Sequence, residues 1–161
     1  MAQEVFTGGC QCGAVRFAVS RLGRASICHC RMCQKAFGSI GGLLVTARDL
    51  QWTRGAPKLF QSSNKVRRGF CGDCGTPLTF AYAGSTDVAI CAFDNPAAVP
   101  PTVQLASAFR IPWADGLASL PHRPANEHEA AAAHYAGIVS YQHPDHDTDA
   151  WPAPRAGDRN G

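Results

Sequence analysis

The sequence has no long hydrophobic run and no recognisable export signal. Its apolar stretches fall well short of the roughly 18 residues that a membrane-spanning helix needs. The first nine residues, MAQEVFTGG, lack the basic stretch followed by an apolar one that directs secretion. These absences predict a protein that is neither exported nor inserted in a membrane, and a cytoplasmic location is expected.

Charge of either sign is also scarce. Charged residues make up 17% of the chain, and 15 Lys and Arg against 12 Asp and Glu give a formal net charge of +3. The basic residues are scattered apart from one short group, Lys65, Arg67 and Arg68. A nucleic-acid-binding surface needs a denser basic patch than this, so nucleic acid is not expected as a partner.

The composition that remains is typical of a small β-rich protein. A chain of 161 residues is long enough for one domain with a sizeable core. Apolar residues make up 45% of it, and 16 Gly and 11 Pro favour many turns over long helices. We therefore predict a single, mostly β domain.

Alternating apolar residues predict short strands. Val15, Phe17 and Val19 lie on one face of such a strand, with Arg16 and Ala18 on the other. Further strand-like segments are residues 43–45, 50–52, 58–61, 66–70, 79–83 and 88–93, with a turn at 62–64.

One short helix is predicted near the C-terminus. Asn126 is a suitable N-cap with Glu129 three residues later, as in a capping box, and Gly137 is a suitable end. From His143 onward the composition is typical of disorder. The predicted divisions are a cysteine-containing domain at 1–125, the helix and extension at 126–142, and a disordered tail at 143–161.

Eight cysteines without an export signal indicate metal or redox chemistry more than a disulfide scaffold. Seven of them form the groups CQC, CHCRMC and CGDC. Spacings of one or two residues let a tight loop aim two thiolates at one zinc ion, at about 2.3 Å each, and glycines such as Gly13 and Gly75 suit these turns. Cys-x-Cys disulfides would be strained. The pattern predicts zinc, with an iron–sulfur or redox role as the alternatives.

Seven cysteines divide most simply into one site with three ligands and one with four. The candidate ligands are Cys28, Cys30 and Cys33 for the first site, and Cys10, Cys12, Cys71 and Cys74 for the second. A site with four protein ligands is closed and structural, whereas a site with three keeps a position for chemistry. Exchanged pairings are also compatible with the spacing.

The motifs together resemble a known family. GGCQCGAVRF, CHCRMCQKAFGS, SSNKVRRGFCGDCGTPL and FRIPWADGL follow one another in the order found in the glutathione-dependent formaldehyde-activating enzyme (GFA) family, also called the CENP-V type. The resemblance implies an Mss4-like β fold built around zinc-binding cysteine loops. It also implies a structural zinc at the four-cysteine site and a catalytic zinc at Cys28, Cys30 and Cys33. Family members join formaldehyde and glutathione and are classed as carbon–sulfur lyases.

The three-cysteine site suits sulfur chemistry. Three thiolates leave a zinc centre with one net negative charge. Such a centre acidifies a bound water molecule less than a three-histidine zinc site does. A thiol such as glutathione is better matched to the fourth position, from which its sulfur can be aimed at an aldehyde carbon. The sequence therefore predicts a zinc-dependent carbon–sulfur lyase acting on thiol adducts of small aldehydes.

Two other functions remain open at this point. One is a non-enzymatic zinc module for a protein or nucleic-acid partner, as the centromere-associated branch of the family suggests. The other is a methionine sulfoxide reductase, which would need a reactive late cysteine. Only Cys91 is placed to serve, and its position in the strand-like DVAICAF predicts a small core residue instead.

Four further residues are candidates for supporting roles. Lys65, Arg67 or Arg68 is a candidate for binding a carboxylate of glutathione, although alternation puts Arg67 and Arg68 on opposite faces. The alternative is that they are solvated strand charges. His29 lies between two candidate ligands and is predicted to carry a proton, to point outward or to brace the metal loop.

Overall fold

The computed structural model describes residues 4–152, and this part of the chain is mostly β. Its strands are β1 Phe6–Gly9, β2 Arg16–Val19, β3 Arg21–Cys28, β4 Gly42–Arg48, β5 Gln51–Arg54, β6 Lys58–Gln61, β7 Val66–Phe70, β8 Pro77–Tyr82, β9 Ser85–Ala89 and β10 Val103–Leu105. The α-helices are α1 Arg31–Phe37 and α2 His128–Ala136, and short 3₁₀ helices lie between β9 and α2. The predicted fold class is confirmed.

The strands form two sheets that share one core. The smaller sheet has the order β1-β2-β5, and the larger has the order β10-β3-β4-β9-β8-β7-β6. Its pairs are antiparallel except for β10, which runs parallel to β3. One hydrophobic cluster joins Phe17 and Val19 of the small sheet to Val45, Leu78 and Val88 of the large one. No helix in residues 4–152 has the length and apolar character to cross a bilayer.

Strand β2 shows the predicted alternation. Phe17 and Val19 are fully buried, and the Phe17 ring meets the edges or faces of Trp52 and Phe93 at near-perpendicular angles. Arg16 lies on the other face, yet only 2% of it is exposed. Its guanidinium forms a bidentate pair with Asp94, at 2.7 and 2.8 Å, which allows a charged group to be buried there.

Residues 88–93 differ from the prediction of a continuous strand. Strand β9 ends at Ala89, and residues 90–92 form a 3₁₀ helix. The strand alternation does not continue into this 3₁₀ helix. Within the helix Ile90 and Ala92 are buried, whereas Cys91 faces outward. The prediction that Cys91 is a core residue is therefore wrong.

The helices also depart from the sequence prediction. Helix α1 was not predicted, and it begins within the second cysteine group, with Cys30 as its N-cap and Gly38 as a left-handed C-cap at φ 56°. Helix α2 begins at His128, after a 3₁₀ turn that includes Asn126, and its N-cap makes no side-chain hydrogen bond. The predicted capping box is wrong, whereas the predicted end at Gly137 is confirmed.

Residues 143–152, which we call the C-terminal strap, lie against the loop that follows β1. The backbone N–H of His143 donates to the Gln11 carbonyl at 2.7 Å, and the Trp151 indole N–H donates to the Cys12 carbonyl at 2.8 Å. His143 is buried beside Gly13, which has a φ of 79° and no room for a side chain. The sequence analysis predicts disorder from His143, whereas residues 143–152 make the contacts given above. Residues 153–161 lie outside the described residues, and the divisions at 125 and 142 stay predictions.

Polar side chains of the small sheet hold the other side of the strap. The Arg16 Nε donates to the Asp147 carboxylate at 2.9 Å, and Arg54 donates to the Thr148 carbonyl and to the ring of His143. Burial, together with the charges of Arg16 and Arg54, lowers the pKa of His143. The strap therefore joins the small sheet to the first cysteine loop.

Removal of the strap is expected to destabilise the fold. A chain ending at Gln142 loses the contacts of Asp147 with Arg16, of Thr148 with Arg54 and of Trp151 with the Cys12 carbonyl, and we expect its free energy of unfolding to fall by about 2 kcal/mol. A chain ending at Pro152, which keeps the whole strap, is the matched control and should be more stable than the chain ending at Gln142. Thermal and urea unfolding followed by circular dichroism measures the difference. Equal stability of the two shortened chains would contradict a holding role for the strap.

Candidate metal centres

The structure brings seven cysteine sulfurs together in two groups. Within each group all the sulfur atoms lie within 4.8 Å of one another. The four-cysteine group consists of Cys10, Cys12, Cys71 and Cys74, and the three-cysteine group consists of Cys28, Cys30 and Cys33. Both groups therefore have the composition and spacing of sites that could hold a metal ion.

The four-cysteine group is built from two similar turns. One follows β1 and the other follows β7. In each turn the glycine N–H donates to a cysteine carbonyl at 3.0 Å, from Gly13 to Cys10 and from Gly75 to Cys71. Both glycines have positive φ, at 79° and 76°, which a residue with a side chain rarely adopts. The glycines noted in the sequence therefore fix the turns that aim the sulfurs inward.

The sulfur spacing fits a tetrahedral ion. Sulfur atoms placed about 2.3 Å from a central zinc lie about 3.8 Å apart along the edges of a tetrahedron. Here the Cys10 and Cys12 sulfurs are 3.6 Å apart, and those of Cys12 and Cys71 are 3.8 Å apart. Backbone N–H groups of Val15 and Asp73 donate to the Cys10 and Cys71 sulfurs at 3.3 and 3.4 Å, which supports negative charge there.

The thiols of this group differ in how easily they ionise. Burial raises the pKa of Cys10 and of Cys12, because a thiolate is poorly solvated there. Burial has the same effect on Cys74, but hydrogen bonds to Thr76 outweigh it and lower its pKa to about 6. The group thus needs a cation if all four sulfurs are to be thiolates.

The three-cysteine group surrounds the start of helix α1. Cys28 ends β3, Cys30 is the N-cap of α1, and Cys33 lies in its first turn. The Cys33 N–H donates to the Cys30 sulfur at 3.4 Å, so the cap itself aims one sulfur at the group. In residues 4–152 no fourth His, Cys, Asp or Glu joins these three sulfurs. An ion held here would keep one position free of those protein ligands.

Arg68 is the functional neighbour that sequence reasoning identified only in part. Its Nη2 donates to the Cys33 sulfur at 3.4 Å, and only 8% of the residue is exposed. Arg67 and Lys65 are exposed whereas Arg68 is buried, so the predicted placement of Arg67 and Arg68 on opposite faces is confirmed. Which of the two lies at the cysteine group depends on how β7 packs, and the alternation alone does not decide that.

The arginine affects the ionisation of the nearby thiols. Burial raises the pKa of Cys33 to about 12, with the hydrogen bond from Arg68 acting in the opposite direction. For Cys30, burial is outweighed by hydrogen bonds from Cys33 and by the Arg68 charge, and the pKa is lowered. Cys30 is therefore the sulfur of this pair that ionises more readily.

His29 braces the loop between Cys28 and Cys30. The residue is buried, and its Nε2 lies 3.0 Å from the Gln104 side-chain oxygen in β10. The Gln34 amide donates to the His29 carbonyl at 2.8 Å, which ties the loop to α1. The outward orientation considered for His29 is wrong, and its contacts are those of a bracing residue.

A groove of about 430 Å³ lies beside Arg68. Arg31 and Lys35 line it from α1, and Phe60 lines it from β6. Sequence reasoning did not single out Arg31 or Lys35. Arg31 and Lys35 are four residues apart and follow the cysteine N-cap, so both lie on one face of α1. The sequence analysis had not recognised this helix. The groove therefore combines an apolar wall with three cationic side chains.

Comparison with known proteins gives the chain its family. The model of the glutathione-dependent formaldehyde-activating enzyme family matches residues 5–108, a range that includes all seven grouped cysteines. A solved structure of a Rhodobacter sphaeroides protein is similar at 26% identity and a TM-score of 0.50, covering 62% of this chain and 99% of that one. No curated protein matches the chain with significance. The family match spans well over half of the sequence, and the chain belongs to the glutathione-dependent formaldehyde-activating enzyme family.

Proposed function

We propose that this protein is a zinc-dependent carbon–sulfur lyase that acts on thiol adducts of small aldehydes, with glutathione and formaldehyde or a related pair as substrates. The observation that carries the proposal is the three-cysteine group beside a groove lined by cations. Family membership supports the same chemistry. A carboxylate-bearing thiol matches both features, because its sulfur suits the cysteine group and its carboxylates suit the groove.

The two cysteine groups have different proposed roles. Cys10, Cys12, Cys71 and Cys74 would hold a structural zinc ion, and Cys28, Cys30 and Cys33 would hold the catalytic one. When bound at the second site, zinc would supply an electron-pair acceptor that stabilises a thiolate at neutral pH. The donor set supports this assignment, since thiolate-rich sites favour zinc over magnesium or calcium.

The chain's own residues would bind and orient the thiol. Arg31 and Lys35 would pair with its carboxylates, and Phe60 would cover its apolar stem. In the synthetic direction the thiolate sulfur attacks the aldehyde carbon, a carbon–sulfur bond forms, and the carbonyl oxygen takes up the electron pair and a proton. In the lyase direction the hydroxyl loses its proton and the carbon–sulfur bond breaks. The residues named here act by holding the thiol in a fixed orientation. The attack then no longer depends on a random encounter of thiol and aldehyde in solution.

Mutation should distinguish the two proposed metal sites. Cys71→Ser should destabilise the whole fold, because a closed site contributes its binding energy to folding. Cys30→Ser should leave a folded protein that holds one zinc ion fewer. Elemental analysis gives the metal content, and thermal unfolding gives the stability. Cys91→Ser is the control, since Cys91 is exposed and belongs to neither group.

Two outcomes would count against this division. If Cys71→Ser and Cys30→Ser unfold alike, the assignment of structural and catalytic roles is wrong. If the purified chain holds iron in place of zinc, the proposed metal is wrong.

Spectroscopy and kinetics should test the proposed reaction. In the cobalt-substituted protein, glutathione should change the sulfur-to-metal charge-transfer band, because a further sulfur joins the metal. Formaldehyde should then be consumed faster with protein and thiol than with thiol alone. Cys30→Ser should abolish the increase, and Cys91→Ser should keep it.

The control variant also tests the alternatives. If the unmodified chain reduces methionine sulfoxide and Cys91→Ser has lost that activity, the sulfoxide reductase is favoured instead. A spectrum indifferent to every thiol, with no increase in rate, would favour the non-enzymatic binding module.

A further inference from the structure

Arg68 is a buried cation that has no carboxylate partner among residues 4–152. In the described part of the chain, the ion pairs involve Arg16, Arg21 and Arg110 with aspartates, and Arg68 is not among them. Only 8% of Arg68 is exposed. Burial of a charge is costly unless another charge or several hydrogen bonds compensate for it. The side chain must therefore be stabilised by something other than an acidic residue.

The contacts of the guanidinium identify the compensating group. Its Nε donates to the Ser62 hydroxyl at 3.1 Å, and the Phe80 ring lies 4.8 Å from its central carbon. Its Nη2 donates to the Cys33 sulfur, and its buried Nη1 has no hydrogen-bond partner within the described part of the chain. Among these neighbours only the cysteine sulfur can carry a negative charge. The arginine is thus paired with the three-cysteine group.

The sheet holds Arg68 in this position. In the register of the large sheet, Arg68 lies directly between Phe60 of β6 and Phe80 of β8. Cross-strand neighbours of this kind project from the same face, and the Phe80 ring packs on the guanidinium from that face. A flexible surface arginine would lack such fixed contacts.

The formal charges of the site match. Three thiolates around a divalent ion carry one net negative charge, which the Arg68 guanidinium neutralises. Addition of a thiolate as a fourth ligand would bring the charge to minus two without Arg68 and to minus one with it. Because Coulomb energies are large where water is excluded, this difference in net charge affects the affinity of the site for both the metal ion and its fourth ligand.

We propose that Arg68 is the charge-balancing positioning residue of the three-cysteine group: it allows the group to hold a metal ion with three thiolates and to accept an anionic fourth ligand. This inference rests on the metal site of the proposed function, but not on its reaction. The ligand class it implies is an ionised thiol, with a further negative charge in reach of Arg31 and Lys35.

Three substitutions test the role of the charge. Arg68→Met keeps much of the side-chain volume and removes the charge, and Arg68→Lys keeps the charge. Arg67→Met is the matched control, because it removes a charge from the exposed neighbour on the same strand. Chelator competition measures the zinc affinity of each site in the full chain.

We expect Arg68→Met to weaken zinc binding at the three-cysteine group by about tenfold or more, since it removes a hydrogen bond to a charged group. The four-cysteine group should keep its zinc, Arg68→Lys should recover most of the loss, and Arg67→Met should bind like the unmodified chain. A merely structural role would instead lower the melting temperature, affect both sites alike and show no rescue by lysine. If Arg68→Met does not fold, Arg68→Gln carries the same comparison.

Thiol binding to the cobalt-substituted protein gives a second readout. The probes are 3-mercaptopropionate, 2-mercaptoethanol and cysteamine, which differ in charge but little in size. Arg68→Met should bind all three thiols more weakly than the unmodified chain, because each coordinates as a thiolate, whereas Arg67→Met should bind them like the unmodified chain. The preference for the anionic thiol, which Arg31 and Lys35 would supply, should remain in both variants.

The inference would be overturned if Arg68→Met and Arg67→Met bound zinc and the three thiols equally well. The proposed function can fail separately, through absence of formaldehyde turnover in the unmodified chain, and zinc affinity does not depend on that turnover.

Discussion

The fold depends on the meeting of two cysteine loops that belong to different sheets. Cys10 and Cys12 follow β1 of the small sheet, and Cys71 and Cys74 follow β7 of the large sheet. Their sulfurs converge at the distances expected around one tetrahedral ion. Two of the four cysteines, Cys10 and Cys71, are buried, and all four sulfurs lie within 4.8 Å of one another. The meeting of the two loops therefore joins the two sheets.

Strand β7 connects the two cysteine groups. Arg68 lies within the strand and contacts Cys33, while Cys71 follows immediately after its end. A change in the position of β7 would move Cys71 of the four-cysteine group and the cationic neighbour of the three-cysteine group together. The strand therefore couples the geometry of the two groups.

Local patterns predicted much of this structure, and long-range contacts account for what they missed. Strands β6 and β7 lie at the predicted strand-like segments 58–61 and 66–70, and the grouping of Cys28, Cys30 and Cys33 follows from spacing. Helix α1 was missed because seven residues are too few for a periodic signal and its N-cap is a cysteine. The strap was missed because composition does not reveal that Asp147 pairs with an arginine 131 residues earlier. Cys91 was misplaced because a 3₁₀ turn ends the alternation.

The sequence separation of the ligands has a consequence for the newly made chain. The three-cysteine group is complete within one short segment, whereas Cys12 must wait for Cys71, which is synthesised 59 residues later. A growing chain on the ribosome therefore presents its open group while half of the closed group is still absent. The strap over the first loop is made later still. In the proposed function, the three-cysteine group can thus take up its metal ion before the four-cysteine group has assembled.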